Sequence, residues 1–356
     1  DMLGACVVLS NCPSILAVSE NSNSSFSREF MQKTREKCDF RTFLGESIRQ
    51  NDTSFAQFLR ESNLACGVPP PTVCCPVERN LPELAKRLLT REEGCGQFAS
   101  SQDKIVGGTE ADVGSYPWIA LLGYEDVFGG ISFRCGGVLI TVRHILTAAH
   151  CILRDLKFAR LGEHDLTSDS ETFHIDIGIT RVRNVEAHPR YSRRDGHSDI
   201  GMLYLQKYAP FTKLIRPVCL PQRSASYVGV TAFVAGWGKT MEGGATSEVL
   251  QEIRIPVHRN TVCNSSYARL SRLISEKQFD DAVICAGVME GGIDTCQGDS
   301  GGPLMASETY NGKPIFTAIG IVSYSLGCAR PNSPGVYASL PYFMDWIESM
   351  VADTST

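Results

Sequence analysis

The sequence predicts a mainly β protein that carries a small, disulfide-rich segment at its N-terminus. Short runs rich in strand-forming residues recur between residues 118 and 338, with turn residues between them, and this pattern is typical of an all-β barrel. Six of the fourteen cysteines lie within the first 75 residues. A segment that short buries little apolar surface, so crosslinks are expected to stabilise it.

The strand-forming runs are Trp118–Leu122, Gly137–Ile140, Ile175–Ile179, Thr231–Ala235, Ile315–Val322 and Gly335–Ala338. Apolar residues at helical spacing predict an amphipathic C-terminal helix over Leu340–Ile347 and a short helix over Phe55–Arg60. Residues 77–104 have the composition of a linker, with a helix-like pattern only over Leu81–Leu89.

Composition argues against several classes of function. A net charge of −5 provides no excess of positive charge for binding nucleic acid. No apolar run approaches the roughly 20 residues that span a bilayer. Residues 1–6 lack the basic start and long apolar stretch of a signal peptide, so we expect them to follow a signal peptide already removed.

The cysteine count favours disulfides and therefore an oxidising, extracellular compartment, because the number is even and the spacings are clustered. Zinc binding is the alternative, but it needs short pairs such as C-x2-C, which the sequence lacks. Sequons at Asn23, Asn51 and Asn264 predict glycosylation, which agrees with secretion.

The segment Asp294–Pro303 carries the strongest chemical signal in the chain. A serine hydroxyl is a weak nucleophile at neutral pH, and it needs a base and hydrogen-bond donors for the oxyanion. Glycines around Ser300 let the backbone N–H groups of Gly298 and Ser300 point at one spot. Upstream, His150 offers a base and Asp199 offers a carboxylate to orient that base.

Three motifs together resemble the trypsin/chymotrypsin family of serine proteases. They are Ile105–Gly108 (IVGG), Thr147–Cys151 (TAAHC) and Gly298–Pro303 (GDSGGP), in the order that the family has. The resemblance covers about residues 105–350, and it implies a trypsin-like double β-barrel catalytic domain over residues 105–356. It further implies that the triad is His150, Asp199 and Ser300, with Gly298 and Ser300 forming the oxyanion hole.

The same resemblance implies cleavage after Arg or Lys. Asp294 matches the aspartate at the base of the family's primary specificity pocket, where a buried carboxylate gains most from a cationic side chain. Gly335 matches the glycine that keeps one wall open, and Ser323 matches the serine beside the aspartate of the triad. Ser325 departs from the family pattern, which has glycine there, and we expect it to alter the rim of the pocket.

Activation has its own motif in Lys104–Gly108. By resemblance, cleavage after Lys104 frees the amine of Ile105, and this ammonium then pairs with Asp299 beside the nucleophile. A buried carboxylate without a partner costs several kcal/mol, so the new charge can drive a rearrangement of the loop.

The stretch from Cys66 to Pro76 resembles the end of the clip domain found ahead of arthropod cascade proteases. Residues 1–76 are therefore assigned to a clip domain and residues 77–104 to a linker and activation peptide. Spacing alone leaves the connectivity of six cysteines open. The resemblance implies these pairs for the whole chain: Cys6–Cys74, Cys12–Cys66, Cys38–Cys75, Cys95–Cys219, Cys135–Cys151, Cys263–Cys285 and Cys296–Cys328.

An acidic loop after Gly162 suggests one cation site. Family members with such a loop often bind calcium, whose preferred ligands are carboxylate and carbonyl oxygens. Glu163, Asp165 and Glu171 are the candidate ligands. The predicted chemistry itself requires no cofactor.

These features predict a secreted serine endopeptidase zymogen in an extracellular cascade, such as prophenoloxidase activation, Toll-ligand processing or clotting. Its partners would be a protein substrate, an upstream activating protease and a serpin-type inhibitor. Two alternatives stay open. One is a venom or digestive protease, against which the clip domain argues, and the other is a catalytically silent cofactor, against which the intact Ser300 argues.

Overall fold

The protein is described by a computed structural model. The described residues are 4–8, 72–76, 81–98, 109–168, 174–180, 187–239, 243–270, 276–292, 298–325, 327 and 330–353. For residues 4–8, 72–76, 109, 269, 270, 276 and 277, only the backbone is described.

The chain divides into two compact units, residues 1–80 and residues 81–356. In the first unit, strands β1 (Gly4–Val8) and β2 (Thr72–Pro76) form an antiparallel pair. Their register sets the backbone of Cys6 opposite that of Cys74, the pair that the clip-domain resemblance implies. The helix predicted over Phe55–Arg60 lies outside the described residues.

The first barrel of the second unit contains six antiparallel strands and closes in the order β4-β5-β6-β9-β8-β7. The strands are β4 (Ile119–Glu125), β5 (Ile131–Leu139), β6 (His144–Thr147), β7 (Leu156–Leu161), β8 (Ile175–Thr180) and β9 (Gly201–Leu205). Their inward side chains form one apolar core that includes Trp118, Leu122, Leu139 and Leu203. Burial of this apolar surface is the main stabilising contribution to the barrel.

The second barrel runs β10-β13-β14-β15-β12-β11 and closes through pairing of β10 with β11, while β3 extends the sheet beside β11. The strands are β3 (Thr109–Glu110), β10 (Thr231–Gly236), β11 (Gln251–His258), β12 (Val283–Ala286), β13 (Pro303–Tyr310), β14 (Lys313–Tyr324) and β15 (Gly335–Ser339). The mainly β class and the double barrel are therefore confirmed.

Helices are few in the described part of the chain. They are α1 (Leu81–Leu84), α2 (Asn260–Leu270) and α3 (Leu340–Ala352), with 3-10 turns at Ala149–Cys151 and Glu276–Phe279. Helix α3 continues five residues beyond the predicted end because Met350 and Val351 extend its buried apolar stripe. None of the described helices is long and apolar enough to cross a membrane.

Each predicted strand corresponds to an observed strand, but the prediction omitted β1, β2, β3, β6, β7, β9, β11, β12 and β13. Strand β9 shows the usual reason, since all five of its residues are buried and it has no polar alternation to mark it. Strand β7 does alternate between buried and more exposed positions, so its pattern was available in the sequence and was missed.

The leader segment before the barrels, residues 81–98, belongs to the second unit and packs against the two barrels. Leu84 and Leu89 are buried in one cluster with Val142 and Ile315, which belong to the two barrels. The Cys95–Cys219 disulfide crosslinks this contact. Only four residues of the predicted Leu81–Leu89 helix are helical, because the chain turns to place Leu89 on the barrel surface.

One buried histidine makes the stability of the fold depend on pH. His144 begins β6, is 3% exposed, and has Nδ1 2.7 Å from the hydroxyl of Thr141. Burial, and secondarily the charge of Arg143, lowers the pKa of His144 to about 4. The folded protein therefore holds this ring neutral at pH values where the unfolded chain already binds a proton.

We expect wild-type stability to fall as the pH drops from about 6.5 towards 4, and His144→Asn to lose less over the same interval. Above pH 6.5 both states are neutral and the histidine contributes no pH dependence. Below pH 6.5, the contribution of His144 to the loss of unfolding free energy reaches at most about 3 kcal/mol. Urea denaturation at several pH values measures this, and equal losses in the two proteins would contradict the assignment.

Candidate active site

The three residues of the predicted triad lie where the two barrels meet. His150 is held in the 3-10 turn that follows β6, and Asp199 lies two residues before β9. Ser300 belongs to the loop that leads into β13 of the second barrel. The Cys135–Cys151 disulfide anchors the His150 turn to β5.

Asp199 and His150 form a tightly oriented pair. Nδ1 of His150 lies 2.7 Å from Oδ2 of Asp199, and the backbone N–H of His150 donates to Oδ1 at 3.0 Å. The hydroxyl of Ser323 donates to Oδ2 at 2.6 Å. Asp199 is 4% exposed, so these donors replace the water that a carboxylate needs. With the Nδ1 proton directed to the carboxylate, Nε2 of His150 is left to accept one.

The backbone of Ser300 is fixed between the barrels. Its carbonyl oxygen accepts the N–H of Gly136 on β5 at 2.8 Å and lies 3.6 Å from Sγ of Cys151, the neighbour of His150. On the other side, the N–H of Gly301 donates to the carbonyl of Val322 on β14 at 2.8 Å. The structure therefore brings Ser300 beside the segment that carries His150.

The predicted oxyanion hole lies in the loop around Ser300. Gly298 has φ +108°, and a Cβ added there would lie 2.9 Å from Cα of Gly238, so only glycine fits. Among the described residues, no backbone carbonyl accepts the N–H of Gly298 or of Ser300. An oxyanion hole needs two such donors, so Gly298 and Ser300 stay the predicted pair.

Asp299 lies in a recess lined by backbone. The N–H of Gly238 donates to Oδ1 of Asp299 at 3.0 Å. A Cβ at Gly236 would lie 2.2 Å from that oxygen, and one at Gly238 would lie 2.4 Å from the carboxylate. The carboxylate therefore occupies space that only glycine leaves open. Lys104 and Ile105, the predicted activation residues, lie outside the described residues.

The predicted specificity pocket is described only in part. Asp294 lies outside the described residues. Ser323 contacts Asp199 as stated, and the hydroxyl of Ser325 donates to the carbonyl of Gly327 at 2.6 Å, which turns it into its own loop. Gly335 begins β15 opposite Ala286. A Cβ at Gly335 would come within 3.1 Å of the Tyr337 ring.

Three of the seven expected disulfides fall within the described residues, and the structure forms each of them: Cys95–Cys219, Cys135–Cys151 and Cys263–Cys285. The side chains of the other four pairs lie outside the described residues. Of the predicted glycosylation sites, Asn264 lies half-buried on α2, while Asn23 and Asn51 lie outside the described residues.

The predicted calcium ligands have protein partners where they are described. The side chain of Glu163 is 2% exposed, and its Oε2 lies 3.4 Å from a guanidinium nitrogen of Arg160 and 3.2 Å from Nδ1 of His174. Asp165 accepts the hydroxyl of Thr167 and also its backbone N–H, and these bonds lower the pKa of the Asp165 carboxyl. Glu171 lies outside the described residues, so the calcium site stays a prediction.

Another cluster has potential metal-ligand atoms close together, but it does not offer a metal site. Sγ of Cys135, Sγ of Cys151 and a ring nitrogen of His150 lie within 4.8 Å of one another. The two sulfurs are bonded to each other, so neither is available as the thiolate that a metal would bind.

Sequence reasoning missed several residues that build this region. Gln278 donates to the hydroxyl of Tyr324 at 2.7 Å, immediately after Ser323 in the chain. Burial raises the pKa of Tyr324 to about 12, so this hydroxyl stays neutral. Gln278 is distant in sequence from Tyr324, and no local pattern marks it. The one sequence clue to His197 was its place two residues before Asp199, the predicted carboxylate of the triad.

We expect Gly238→Ala to lower kcat/KM for a short amide substrate by at least about 10-fold, since the new methyl group would displace the Asp299 carboxylate and the adjoining Ser300 loop. Gly178→Ala is the matched control, because there the Cβ meets only the flexible end of Gln206. Kinetics on folded protein measure both variants. Normal activity in Gly238→Ala would contradict the role of the recess.

The comparisons with known proteins agree with this geometry. A family model described as Trypsin matches residues 105–347. The proclotting enzyme of Tachypleus tridentatus is 36% identical over 310 residues, which cover 79% of each chain. A venom serine protease of Bombus ignitus is 35% identical over 84% of each chain. Phenoloxidase-activating enzyme 1 of Spodoptera litura is 36% identical over 278 residues, covering 73% of this chain and 70% of that protein.

The matched region contains both barrels, the Asp199–His150 pair and the glycine loop of Ser300. The chain therefore belongs to the trypsin family of serine proteases.

Proposed function

We propose that this protein is a secreted zymogen that is activated by cleavage after Lys104 and then cuts a protein substrate after Arg or Lys in an extracellular cascade. The observation that carries the proposal is the hydrogen-bonded Asp199–His150 pair, placed beside the glycine-held loop of Ser300. Its chemistry follows from the contacts of these side chains.

In the proposed reaction, the Ser300 hydroxyl attacks the scissile carbonyl carbon while Nε2 of His150 takes its proton. Asp199 keeps the other ring proton on Nδ1 and stabilises the positive charge that forms on the ring. The N–H groups of Gly298 and Ser300 would bind the oxyanion. His150 then donates its proton to the leaving amine. Water attacks the acyl-enzyme while Nε2 of His150 takes its proton, and His150 returns that proton to Ser300 as the acid product leaves.

Selectivity for Arg and Lys rests on Asp294, which the motif resemblance sets at the base of the pocket. A carboxylate in an enclosed pocket is costly without a cation, so a substrate that supplies one gains affinity. The hydroxyl of Ser325 is directed to Gly327, which is compatible with an open pocket despite the departure from glycine.

Activation would act through Asp299. Cleavage after Lys104 creates a new ammonium at Ile105, and we place its partner in the backbone-lined recess of Asp299. Since Asp299 adjoins Ser300, stabilising the carboxylate in that recess also stabilises the oxyanion loop. The ammonium would add a charged donor to the one that the N–H of Gly238 already supplies to Asp299.

The place in a cascade is supported by the relatives and by the leader. Relatives are named for clotting and for phenoloxidase activation, and we extend such a role to this chain. A packed, disulfide-linked leader suits a protease that keeps its N-terminal domain after activation. The partners proposed are an upstream protease that cuts at Lys104, a protein substrate and a serpin-type inhibitor. Disulfides agree with an extracellular location.

The test is hydrolysis of short Arg and Lys amides before and after controlled cleavage at Lys104. We expect activity only after cleavage, with Ser300→Ala at least about 10³-fold less active. A burst titration with an active-site reagent counts competent sites. No burst from protein with a verified Ile105 terminus would overturn the proposal and favour a silent cofactor.

We expect the leader to stay attached after activation. Cleavage after Lys104 leaves Cys95 on the leader, bonded to Cys219, so a non-reducing gel should show one band and a reducing gel two. In a Cys95→Ser, Cys219→Ser double variant, burial of Leu84 and Leu89 should still hold the two chains together in native size-exclusion chromatography.

Cleavage after Arg91 is the matched comparison for this prediction, because it separates Leu84 and Leu89 from the covalent link. Protein cut only at Lys104 that releases its leader without reductant would refute the tether.

A further inference from the structure

The residue before Asp199 is held in an unusual backbone conformation. Ser198 has φ 55°, in the left-handed region that non-glycine residues seldom occupy. Ser198 is 1% exposed, so solvent does not support this conformation. Its carbonyl accepts the N–H of Ile200 at 2.8 Å, which makes a tight turn around Asp199. The direction of the Asp199 carboxylate therefore depends on what holds Ser198 in place.

His197 is the residue that connects this turn to its surroundings. Nδ1 of His197 lies 2.9 Å from the hydroxyl of Ser198. Its Nε2 lies 3.2 Å from Oδ2 of Asp280, and its backbone N–H donates to Asp195 at 3.2 Å. The ring thus links the Asp199 turn of the first barrel to a carboxylate of the second.

Asp280 is itself fixed in position. Its Oδ1 accepts the N–H of Ala282 at 2.9 Å, at the turn that leads into β12. Its backbone carbonyl accepts Nδ2 of Asn260, on α2, at 2.8 Å. Nearby, Gln278 donates to the carbonyl of Asp195. Residues 278–280 therefore hold the segment 195–198 at two points.

We propose that His197 and Asp280 form a clasp between the barrels that positions Asp199 for catalysis. The described contacts of the His197 ring are with Ser198 and Asp280, so it would act on Asp199 through Ser198, as a positioning residue. The clasp acts on the same carboxylate that Ser323 holds from β14. Two contacts from the second barrel thus fix Asp199, one on its side chain and one through its preceding residue.

The clasp can persist in either charge state of the His197 ring. A neutral ring can donate from Nε2 to Asp280 and accept the Ser198 hydroxyl at Nδ1. A protonated ring donates at both nitrogens, and Ser198 then accepts. The charged and titratable groups around the ring are Asp195 on its own segment, Asp280 on the second barrel and His188, whose charge interacts with that of His197.

The test rests on the proposed function and uses activated enzyme with a short Arg amide. We expect His197→Ala and Asp280→Ala each to lower kcat by about 10-fold with KM changed less than about 2-fold, because the orientation of the triad changes and the pocket does not. The double variant should be no worse than either single variant. Asp280→Asn should restore most of kcat, since its amide can still pair with the ring.

A second variant separates the clasp from the local hydrogen bond. Asn at position 197 keeps a polar atom near Ser198 but does not reach Asp280, so His197→Asn should be as defective as His197→Ala. Normal kcat in His197→Asn, additive losses in the double variant, or a change confined to KM would overturn the proposal. Arg223→Ala, which loses ion pairs with Asp345 and Glu348 on α3, is the control and should keep its kcat.

A proton NMR measurement tests the clasp without relying on enzyme activity. It therefore separates a failure of the clasp from a failure of the proposed protease function. The proton between Nδ1 of His150 and Asp199 should give a low-field proton NMR resonance in the full-length zymogen. We expect His197→Ala to shift or broaden this resonance and Arg223→Ala to leave it unchanged. An inactive wild-type enzyme would defeat the proposed function, whereas an unchanged resonance in His197→Ala would defeat the clasp.

Discussion

The arrangement of the site depends on one buried carboxylate. Asp199 is almost entirely removed from water, and an ionised carboxylate in such a place is costly unless several donors replace its hydration. The first barrel supplies Asp199 and both nitrogen donors of His150, while the second supplies the hydroxyl of Ser323. The carboxylate is therefore satisfied only when the two barrels are correctly docked. Docking of the barrels and orientation of the base are consequences of the same contacts.

The same principle applies to the nucleophile loop. Ser300 is hydrogen-bonded to β5 of the first barrel through its carbonyl, and the next residue, Gly301, is bonded to β14 of the second. Gly301 also packs so closely that an added Cβ would lie 2.2 Å from the hydroxyl of Thr147. Backbone, rather than long side chains, thus sets the position of the serine. Backbone groups lose little conformational entropy when they act as donors, which favours a preorganised site.

The sequence predicted the catalytic residues better than it predicted the fold around them. GDSGGP and TAAHC are local motifs, because tight turns and close backbone packing require glycine and small residues at fixed spacings. The contacts that align these motifs are not local. Gln278 and Asp280 reach the Asp199 segment from about 80 residues away, and no period or composition records such a contact. Strand β9 was missed because uniform burial removes the alternation on which strand prediction depends.

The leader shows that composition alone did not predict which of its residues are buried. Glu92, Glu93 and Gly94 gave residues 77–104 the character of an exposed loop, yet Leu84 and Leu89 are buried against the barrels. A few apolar side chains at irregular spacing can hold the leader on the barrels because the Cys95–Cys219 disulfide already joins the two. The crosslink removes much of the entropy cost of forming the contact. Arg91 adds an ion pair with Glu308 on β13. Since β13 follows directly from the Ser300 loop, the leader contacts the strand that continues from the nucleophile loop.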